Sequence, residues 1–414
     1  MTRMRDVLTT RGQAFAAAGV TLLLCGLGLG FPDISRVGVL LAVLPLLAAF
    51  AARRQRASVR VERHLVPSRV TVDEASTVTV VVENTSPSRS PLMLVEERLD
   101  YVLGDRPRFL LGRMASGERR QIEYSIRSHL RGRHALGPLA VQMRDAFGLT
   151  NRFAEVGGQD EVVVLPRIER LAGGTPQGSG LGTEGETPHM IALHGEDDQS
   201  IREYRDGDDL RRVHWPATAR TGDLMVRQED RPARRRAVIL LDPRRSGHRG
   251  TGAGSSFEWA VSAVASLVTH LAAGGYAVHL VSSESLRSGA VEAVAEVDSI
   301  LELLAEAATA DDHTIDELVR AGSAVAAAGG LVVAVLADHD DEACRRVASL
   351  RQSGGTGLAV VLDTASFGDG QAPRLAPALA EVLHLSGWSA VTVRAGGTMA
   401  QAWAALTTRG LVHR

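Results

Sequence analysis

The sequence contains no lysine, and all 46 of its basic residues are arginine. This absence excludes a Schiff-base lysine and a phosphate-binding P-loop, which needs a lysine after its last glycine. Cysteine is almost as rare: Cys25 lies in an apolar run and Cys344 in a predicted helix, so we expect no disulfide, as in a reducing compartment. The formal net charge of -2 gives no signal for nucleic-acid binding. The length of 414 residues indicates two to three domains.

Two uncharged runs lie near the amino terminus, at residues 14–31 and 37–52, with a polar turn at 32–36 between them. Each is near the lower limit of the roughly 17–25 residues that span a bilayer, so residues 1–56 are predicted to form a transmembrane helical hairpin. Arginines flank both ends, which places both ends and the soluble domains in the cytoplasm by the positive-inside rule. These arginines are Arg3, Arg5, Arg11, Arg53, Arg54, Arg56, Arg60 and Arg63.

Two other interpretations of the amino-terminal runs are a cleaved signal peptide and a buried core hairpin. The segment after the first run, Gly28–Pro32, is a poor cleavage site, and a signal peptide leaves the second run unexplained. Long uncharged runs are also untypical of soluble helices. The membrane hairpin is therefore favoured.

Residues 57–168 change to short β-branched runs separated by Gly, Pro, Asp or Ser. Such runs at regular spacing predict a β-sandwich-like domain. The segments Arg131–Pro138 and Arg144–Leu149 are predicted to be turns that close a sheet, each with an aromatic plug. Residues 169–235 begin with a Gly-rich linker and then contain the central motif considered below.

Residues 236–414 alternate apolar strands with helical patterns, which predicts a doubly wound α/β domain with a mostly parallel sheet. Ser255 and Glu258 have the spacing of a helix-capping box, and Gly274 and Gly275 are predicted to end that helix. Asp242, Asp338 and Asp363 follow three of the predicted strands. The carboxyl edge of an open α/β sheet is where ligands bind.

The central motif is a dense set of charged and aromatic residues that supplies both signs of charge within a short segment. Its candidate residues are Arg202, Tyr204, Gly207, Asp208, Asp209, Arg211, His214, Trp215 and Arg220. In a structural interpretation the charges pair with one another and Trp215 plugs the α/β domain. In a docking interpretation the exposed Arg and Trp side chains bind a partner. In a third, Asp208, Asp209 and His214 form a metal-dependent hydrolase site, although Asp-Gly-Asp-Asp lacks the distal Glu of an EF-hand.

The spacing Tyr-x-x-Gly-Asp-x-x-Arg-x-x-His-Trp, together with the Arg131–Pro138 and Asp145–Leu149 segments, resembles the bacterial family known as domain of unknown function 58. The resemblance implies two membrane helices, a β-rich region and a von Willebrand factor A-like α/β domain. It also implies association with a MoxR-type AAA+ ATPase, and it brings no enzymatic activity with it.

One position departs from the von Willebrand factor A pattern. A metal-ion-dependent adhesion site needs Asp-x-Ser-x-Ser after the first strand, because hydroxyl and carboxylate oxygens suit Mg²⁺. Here Arg244 stands at the first Ser position of Asp242-Pro-Arg-Arg-Ser246. Asp242, Ser246 and Asp338 could still hold a cation, which would make this a divalent-cation adhesion module. We expect instead that Arg244 pairs with Asp242 or Asp338 in place of a metal.

The sequence therefore predicts a multidomain, multi-pass protein of the bacterial inner membrane that acts as a non-enzymatic adaptor or scaffold. The expected contacts are a protein partner, in particular a MoxR-type AAA+ ATPase, and membrane lipid. We expect no catalytic residues, no cofactor, no metal and no nucleic acid. The oligomeric state is left open, and the metal-dependent hydrolase and the adhesion module are the alternative functions.

Overall fold

The computed structural model describes residues 8–54, 58–145, 147–173, 200–204, 213, 215–228, 235–368 and 374–409. The chain divides into two compact units. Unit 1 comprises residues 1–167 and 301–306, and unit 2 comprises residues 168–300 and 307–414.

Unit 1 begins with two helices, α1 (Thr10–Leu29) and α2 (Pro32–Arg54), which are long and apolar enough to cross a membrane. The polar turn predicted at 32–36 is instead the first turn of α2. Proline fits the first helical position because its missing N–H needs no partner there, and Asp33 complements the helix dipole. The connection shortens to Gly30 and Phe31, with Gly30 in the left-handed conformation at φ 74°.

The two helices pack through glycine. A Cβ atom on Gly19 would collide with the backbone of Ala42, and one on Gly38 would collide with the backbone of Leu23. Glycine at these positions lets the two backbones approach closely, as in packed membrane helices.

Nine strands follow in unit 1 and form two sheets. They are β1 (Val59–Val66), β2 (Arg69–Thr71), β3 (Ala75–Asn84), β4 (Met93–Leu99), β5 (Arg108–Leu111), β6 (Arg119–Arg127), β7 (Gly132–Arg144), β8 (Asn151–Val156) and β9 (Asp160–Leu165). One sheet has the order β1-β3-β6, and the other has the order β2-β9-β7-β4-β5 with β8 paired to β7. All pairs are antiparallel except β2 with β9.

Alternate residues of the two sheets meet in one apolar core. Val78, Val80 and Val82 of β3 are buried with Val95 of β4 and Val141 of β7. Two sheets that share a core in this way form a sandwich, so the sheet-rich region predicted from the period-2 pattern is confirmed.

The prediction of a turn at Arg131–Pro138 is wrong, since these residues open the long strand β7. The strand pairs with β9 over residues 132–136 and with β8 over residues 139–144, and Gly137 lies where the partner changes. Gly137 has φ 88° and no space for a Cβ, because the Arg63 guanidinium lies against it. Glycine and proline therefore mark a change of partner within a strand, which the sequence does not distinguish from a turn.

Unit 2 contains a two-stranded ribbon and a five-stranded parallel sheet. The strands are β10 (Ser200–Glu203), β11 (Met225–Gln228), β12 (Arg236–Leu241), β13 (Ala277–Val281), β14 (Leu331–Ala337), β15 (Thr356–Leu362) and β16 (Ser389–Val393). The helices are α3 (Trp215–Thr221), α4 (Ser256–Ala273), α5 (Ser283–Ser288), α6 (Val297–Ala305, part of which belongs to unit 1), α7 (Thr314–Ala326), α8 (Asp341–Ala348), α9 (Ala376–Leu385) and α10 (Met399–Arg409).

The parallel sheet has the order β13-β12-β14-β15-β16. The three central strands β12, β14 and β15 are buried on both faces, and α7, α8 and α9 contribute to one of the apolar layers. The predicted cap of α4 is confirmed, because Ser255 Oγ accepts a hydrogen bond from Glu258 N at 3.2 Å and the helix ends at Gly274. This order is one of the two common doubly wound arrangements, so the parallel α/β prediction is confirmed at that level.

Candidate functional site

The carboxyl edge of the parallel sheet carries three buried aspartates. Asp242, Asp338 and Asp363 directly follow β12, β14 and β15, as the sequence predicts. The chain leaves β12 towards β13 on one side and returns to β14 on the other, so the direction of winding reverses between β12 and β14. Ligands of doubly wound sheets bind at such a switch point.

Arg244 fills this switch point and binds Asp242. Its Nε donates to Asp242 Oδ1 at 2.9 Å and its Nη2 donates to Asp242 Oδ2 at 2.7 Å, while Nη1 contacts the carboxylate of Asp340. The Asp242 carboxylate also accepts from the backbone N–H groups of Arg244 and Ala337, each at 3.1 Å. All four acceptor directions of Asp242 are therefore used.

The charges of this pair stabilise one another. Burial alone would raise the pKa of the Asp242 carboxyl, but the hydrogen bonds and charge of Arg244 outweigh burial and hold that pKa below its ordinary value. Burial would likewise lower the pKa of Arg244, yet Asp242 and Asp340 raise it. Both groups are thus ionised in the folded protein. The predicted pairing of Arg244 with Asp242 is present, and the predicted alternative partner Asp338 is replaced by Asp340.

Asp338 and Ser246, the other two candidate cation ligands, bind elsewhere. Asp338 Oδ1 accepts from Thr364 N at 3.0 Å, and its Oδ2 accepts at 3.3 Å from the backbone N–H groups of Leu375, which precedes α9, and Ala376, which begins it. Ser246 Oγ donates to Asp312 Oδ2 at 2.6 Å. The three predicted oxygen ligands therefore have separate partners, and no group of three metal-binding side chains occurs within the described ranges.

Ser246, His339 and Asp312 include the residue types of a serine-hydrolase triad. In such a triad the acid binds the imidazole nitrogen that faces away from the serine. Here His339 Nε2 lies 3.0 Å from Ser246 Oγ and 3.7 Å from Asp312 Oδ2, so serine and acid approach the same nitrogen. The Ser246 hydroxyl donates directly to Asp312 and lowers the pKa of that carboxyl. The three residues thus lack the arrangement that activates a serine.

His248 is bonded to the same edge of the sheet. Its Nε2 donates to the Asp242 carbonyl oxygen at 2.9 Å, and its Nδ1 accepts from Ser256 Oγ at 3.0 Å, so the hydrogen bonds fit a neutral ring. Burial lowers the pKa of His248, and it also lowers the pKa values of His270 and His279.

These lowered pKa values predict that unit 2 loses stability in mild acid. Above pH 6.5, the ordinary pKa of histidine, these side chains are neutral in both the folded and the unfolded protein. As the pH falls through 6.5, they bind protons in the unfolded chain but remain neutral in the folded protein, so acid favours unfolding. We expect the melting temperature to fall between about pH 7.5 and about pH 5.5, and to fall less in His248→Gln, whose amide keeps a neutral donor. Tryptophan fluorescence measures this selectively, because Trp215, Trp259, Trp388 and Trp403 all belong to unit 2. Equal slopes in the variant and the unmodified protein would contradict the role of His248.

Much of the central motif lies outside the described residues, namely Gly207, Asp208, Asp209, Arg211 and His214. The hydrolase hypothesis depends on three of them and stays a hypothesis. The described part begins with β10, which contains Arg202 and pairs with β11, and Tyr204 N donates to Leu224 O at 2.7 Å. Val213 and Val226 form a buried bridge beside this ribbon.

Trp215 does not plug the α/β domain. It starts α3 and is 68% exposed, and Arg220 at the other end of the helix is also exposed. The apolar contact of this segment comes instead from Val213 and Val226. The plug in the structural interpretation is therefore wrong for Trp215, and this exposure is the arrangement that the docking interpretation requires.

Sequence reasoning missed Asp340 and His248. Asp340 caps α8, since its Oδ1 accepts from Ala343 N at 2.6 Å, and it also contacts Arg244. The Asp-Asp-Glu run at the start of α8 signals a cap but not a contact with a residue 96 positions away. His248 gives no sequence signal, because its two partners become neighbours only when the loop folds.

No curated protein matches the chain. Three solved structures are similar to parts of it. The CARDB domain of PF1109 from Pyrococcus furiosus is 17% identical, with 26% of this chain and 94% of that chain covered at a TM-score of 0.20. The ApaA protein from Bordetella pertussis is 13% identical, with 26% and 91% covered at a TM-score of 0.20. The alkylpurine DNA glycosylase AlkC from Pseudomonas fluorescens is 20% identical, with 30% and 37% covered at a TM-score of 0.16. At these TM-scores the similarities carry no functional inference.

The family comparison covers the central motif and the first part of the parallel sheet. Residues 200–334 match the family described as "Protein of unknown function DUF58", and this match confirms the resemblance predicted from the central motif.

Proposed function

We propose that this protein is a non-enzymatic adaptor of the bacterial inner membrane that binds a protein partner through the face of α3. The partner that the family resemblance implies is a MoxR-type AAA+ ATPase. The α/β unit would be a von Willebrand factor A-like domain whose metal position is taken by an arginine.

The exposed Trp215 carries this proposal. Tryptophan and arginine are the residue types most enriched among binding hot spots, and here Trp215 and Arg220 are exposed on one short helix. Val213, two residues before the helix, and Val226 of β11 are both buried, so the exposed ring lies next to a buried part of the same segment.

The sheet edge supports binding in preference to chemistry. Every acceptor direction of Asp242 is used by Arg244 and backbone N–H groups, so the edge is braced by an ion pair. A braced edge holds its loops in one arrangement, which favours a preformed protein-binding surface.

The anchor in this proposal is the α1–α2 hairpin. Arg11 precedes its apolar part and Arg53 and Arg54 end it, whereas the opposite end of the hairpin has one arginine, Arg36 near the start of α2, which binds Asp33 at 2.8 Å. Because positive charge is retained on the cytoplasmic side, both soluble units would face the cytoplasm.

Affinity capture of the full-length protein from its own cells, solubilised in detergent, tests the partner. We expect an AAA+ ATPase to be enriched, and its recovery to change between ATP and ADP because such enzymes change conformation with nucleotide. The matched control is an unrelated two-helix membrane protein carrying the same tag. Equal recovery of ATPases with the control, in both nucleotide states, would reject the proposed partner.

A further inference from the structure

We propose that the outer face of the larger sheet of unit 1 binds the lipid bilayer at the end of the sheet next to the α1–α2 hairpin. This surface, here called the apolar row, consists of Phe153, Leu94 and Leu110, together with Phe147 in the adjoining β7–β8 turn. Its assignment to lipid rests on the membrane anchorage proposed above.

The apolar row follows from strand register. Phe153 of β8 lies opposite Gln142 of β7, Gln142 opposite Leu94 of β4, and Leu94 opposite Leu110 of β5. Side chains that are directly opposite one another point to the same face of a sheet. Here that face is solvent-exposed: Phe153 and Leu110 are each 67% exposed and Leu94 is 39% exposed.

The same face becomes charged one step further from the turn. The next outward residues on β8, β4 and β5 are Glu155, Glu96 and Arg108. Glu96 binds Arg108 at 2.6 Å, and Glu155 binds Arg98 at 2.7 Å. On β8, β4 and β5 this face thus changes from apolar to ionic over two residues, as expected where a protein surface crosses from lipid to water. On β7, which lies between β8 and β4, the corresponding residues are Gln142 and Ala140.

Helix length fixes the depth of the turn. α1 has 20 residues, which at about 1.5 Å per residue spans about 30 Å, the thickness of the hydrocarbon core. The helix has no spare length, so Thr9 before it lies at the membrane surface. Thr9 Oγ1 donates to Gly148 O at 2.6 Å and Thr9 N donates to Leu149 O at 2.9 Å. The β7–β8 turn therefore lies at the same level.

The carboxyl end of the hairpin makes an equivalent contact. Arg152 Nη1 donates to Ala52 O in the last turns of α2 at 2.9 Å. Arg152 precedes Phe153 in β8, so both ends of the hairpin are bonded to the strand and turn that carry the two phenylalanines. Arg152 and Phe153 point to opposite faces of β8, so the hairpin is bonded to the strand that carries Phe153 and not to its outer face. These bonds hold the apolar row at the level of the membrane surface, which favours lipid over a protein as its occupant.

Hydrogen bonds within the β7–β8 turn leave the ring of Phe147 exposed. The Asp145 carboxylate accepts from Phe147 N at 3.1 Å and from Thr150 Oγ1 at 2.9 Å, which closes the loop, and Leu149 is buried within it. Phe147 is nevertheless 68% exposed, so the aromatic plug predicted for this segment is wrong. Aromatic rings at the membrane surface insert among the lipid headgroups, and the exposed Arg11 and Arg144 suit anionic headgroups.

Cysteine labelling of the full-length protein in phosphatidylglycerol-containing nanodiscs tests this placement. Phe153→Cys and Leu110→Cys each receive an environment-sensitive dye in a Cys25→Ala background, and Glu155→Cys and Arg108→Cys are matched controls two residues away on the same strands. The two residues of the apolar row that are replaced, Phe153 and Leu110, are both exposed, so their replacement spares the core. Cys344 stays unlabelled at neutral pH, because it is buried and burial raises its pKa to about 11.

We expect nitroxide lipids to quench the dye at 153 and 110 at least about twofold more than at 155 and 108, and iodide in the buffer to show the reverse order. Native Cys25, exposed on α1, reports separately on the anchor. Quenching by lipid at Cys25 but not at 153 and 110 would overturn the lipid-binding row and leave the anchor intact. Absence of lipid quenching at Cys25 as well would overturn both. Shielding of 153 and 110 from both quenchers would indicate a covering protein surface and also overturn the proposal.

Discussion

Arg244→Ala is expected to lower the free energy of unfolding of unit 2 by about 3–5 kcal/mol, because it leaves the buried Asp242 charge without its partner. Arg244 and Asp242 are both almost fully buried, so water cannot replace the lost guanidinium. Two backbone N–H groups would remain on the carboxylate, which is too few to compensate a buried charge. Denaturant unfolding followed by tryptophan fluorescence measures the change.

Two further variants separate this explanation from a general effect of removing arginine. Arg345 forms an ion pair with Asp341 on the exposed surface of α8, so Arg345→Ala should cost less than about 1 kcal/mol. In the double variant Asp242→Asn/Arg244→Ala no buried charge is left unpaired, since the remaining Asp340 carboxylate is partly exposed, so this variant should be more stable than Arg244→Ala alone. An Arg244→Ala protein as stable as the unmodified one would show that the pair does not brace the edge.

The same position tests the divalent-cation alternative. Arg244→Ser restores the residue types of the Asp-x-Ser-x-Ser pattern, but Ser246 is bound to Asp312 and Asp338 caps α9. We therefore expect Mg²⁺ not to restore the stability of Arg244→Ser. If the melting temperature of Arg244→Ser recovered in Mg²⁺ but not in buffer without divalent cations, that result would instead support a cation site at this edge.

Local patterns predicted most elements of this fold, and the failures have one physical origin. The buried strands β12, β14 and β15 are continuous apolar runs with an aspartate after each, so the sequence indicates both the strands and the polar edge. In β7 the same kind of reasoning fails, because Gly137 and Pro138 have turn chemistry in sequence but serve a change of strand partner. The backbone preferences of glycine and proline were interpreted correctly, whereas the strand pairing in which this segment takes part was not.

The candidate site shows the same division. The sequence predicted that Arg244 pairs with Asp242 or Asp338, and the first of these two is the partner that it binds. Asp340 could not be predicted, because its contact with Arg244 depends on β12 and β14 being neighbours in the sheet. Exposure of Trp215 was equally inaccessible, since composition indicates that an aromatic residue needs a partner but not whether the partner lies in the same chain.

Trp215→Ala separates the docking and structural interpretations of the central motif. Because the side chain is 68% exposed, its removal should change the free energy of unfolding by no more than about 0.5 kcal/mol. Hot-spot tryptophans cost about 2 kcal/mol or more when truncated, so affinity for the captured partner should fall at least about tenfold. Binding of the purified proteins by calorimetry, with denaturant unfolding of each variant, measures both quantities.

Leu385→Ala is the matched control for this change. Leu385 is a large apolar residue of unit 2 that is even more exposed than Trp215 and ends a different helix, α9. Loss of a surface side chain in general would affect both variants alike, whereas a binding site on α3 predicts lost affinity only for Trp215→Ala. The opposite result would be a free energy of unfolding lowered by several kcal/mol together with unchanged affinity for the partner. The motif would then stabilise the domain and the partner would bind elsewhere, because affinity would not depend on the exposed ring.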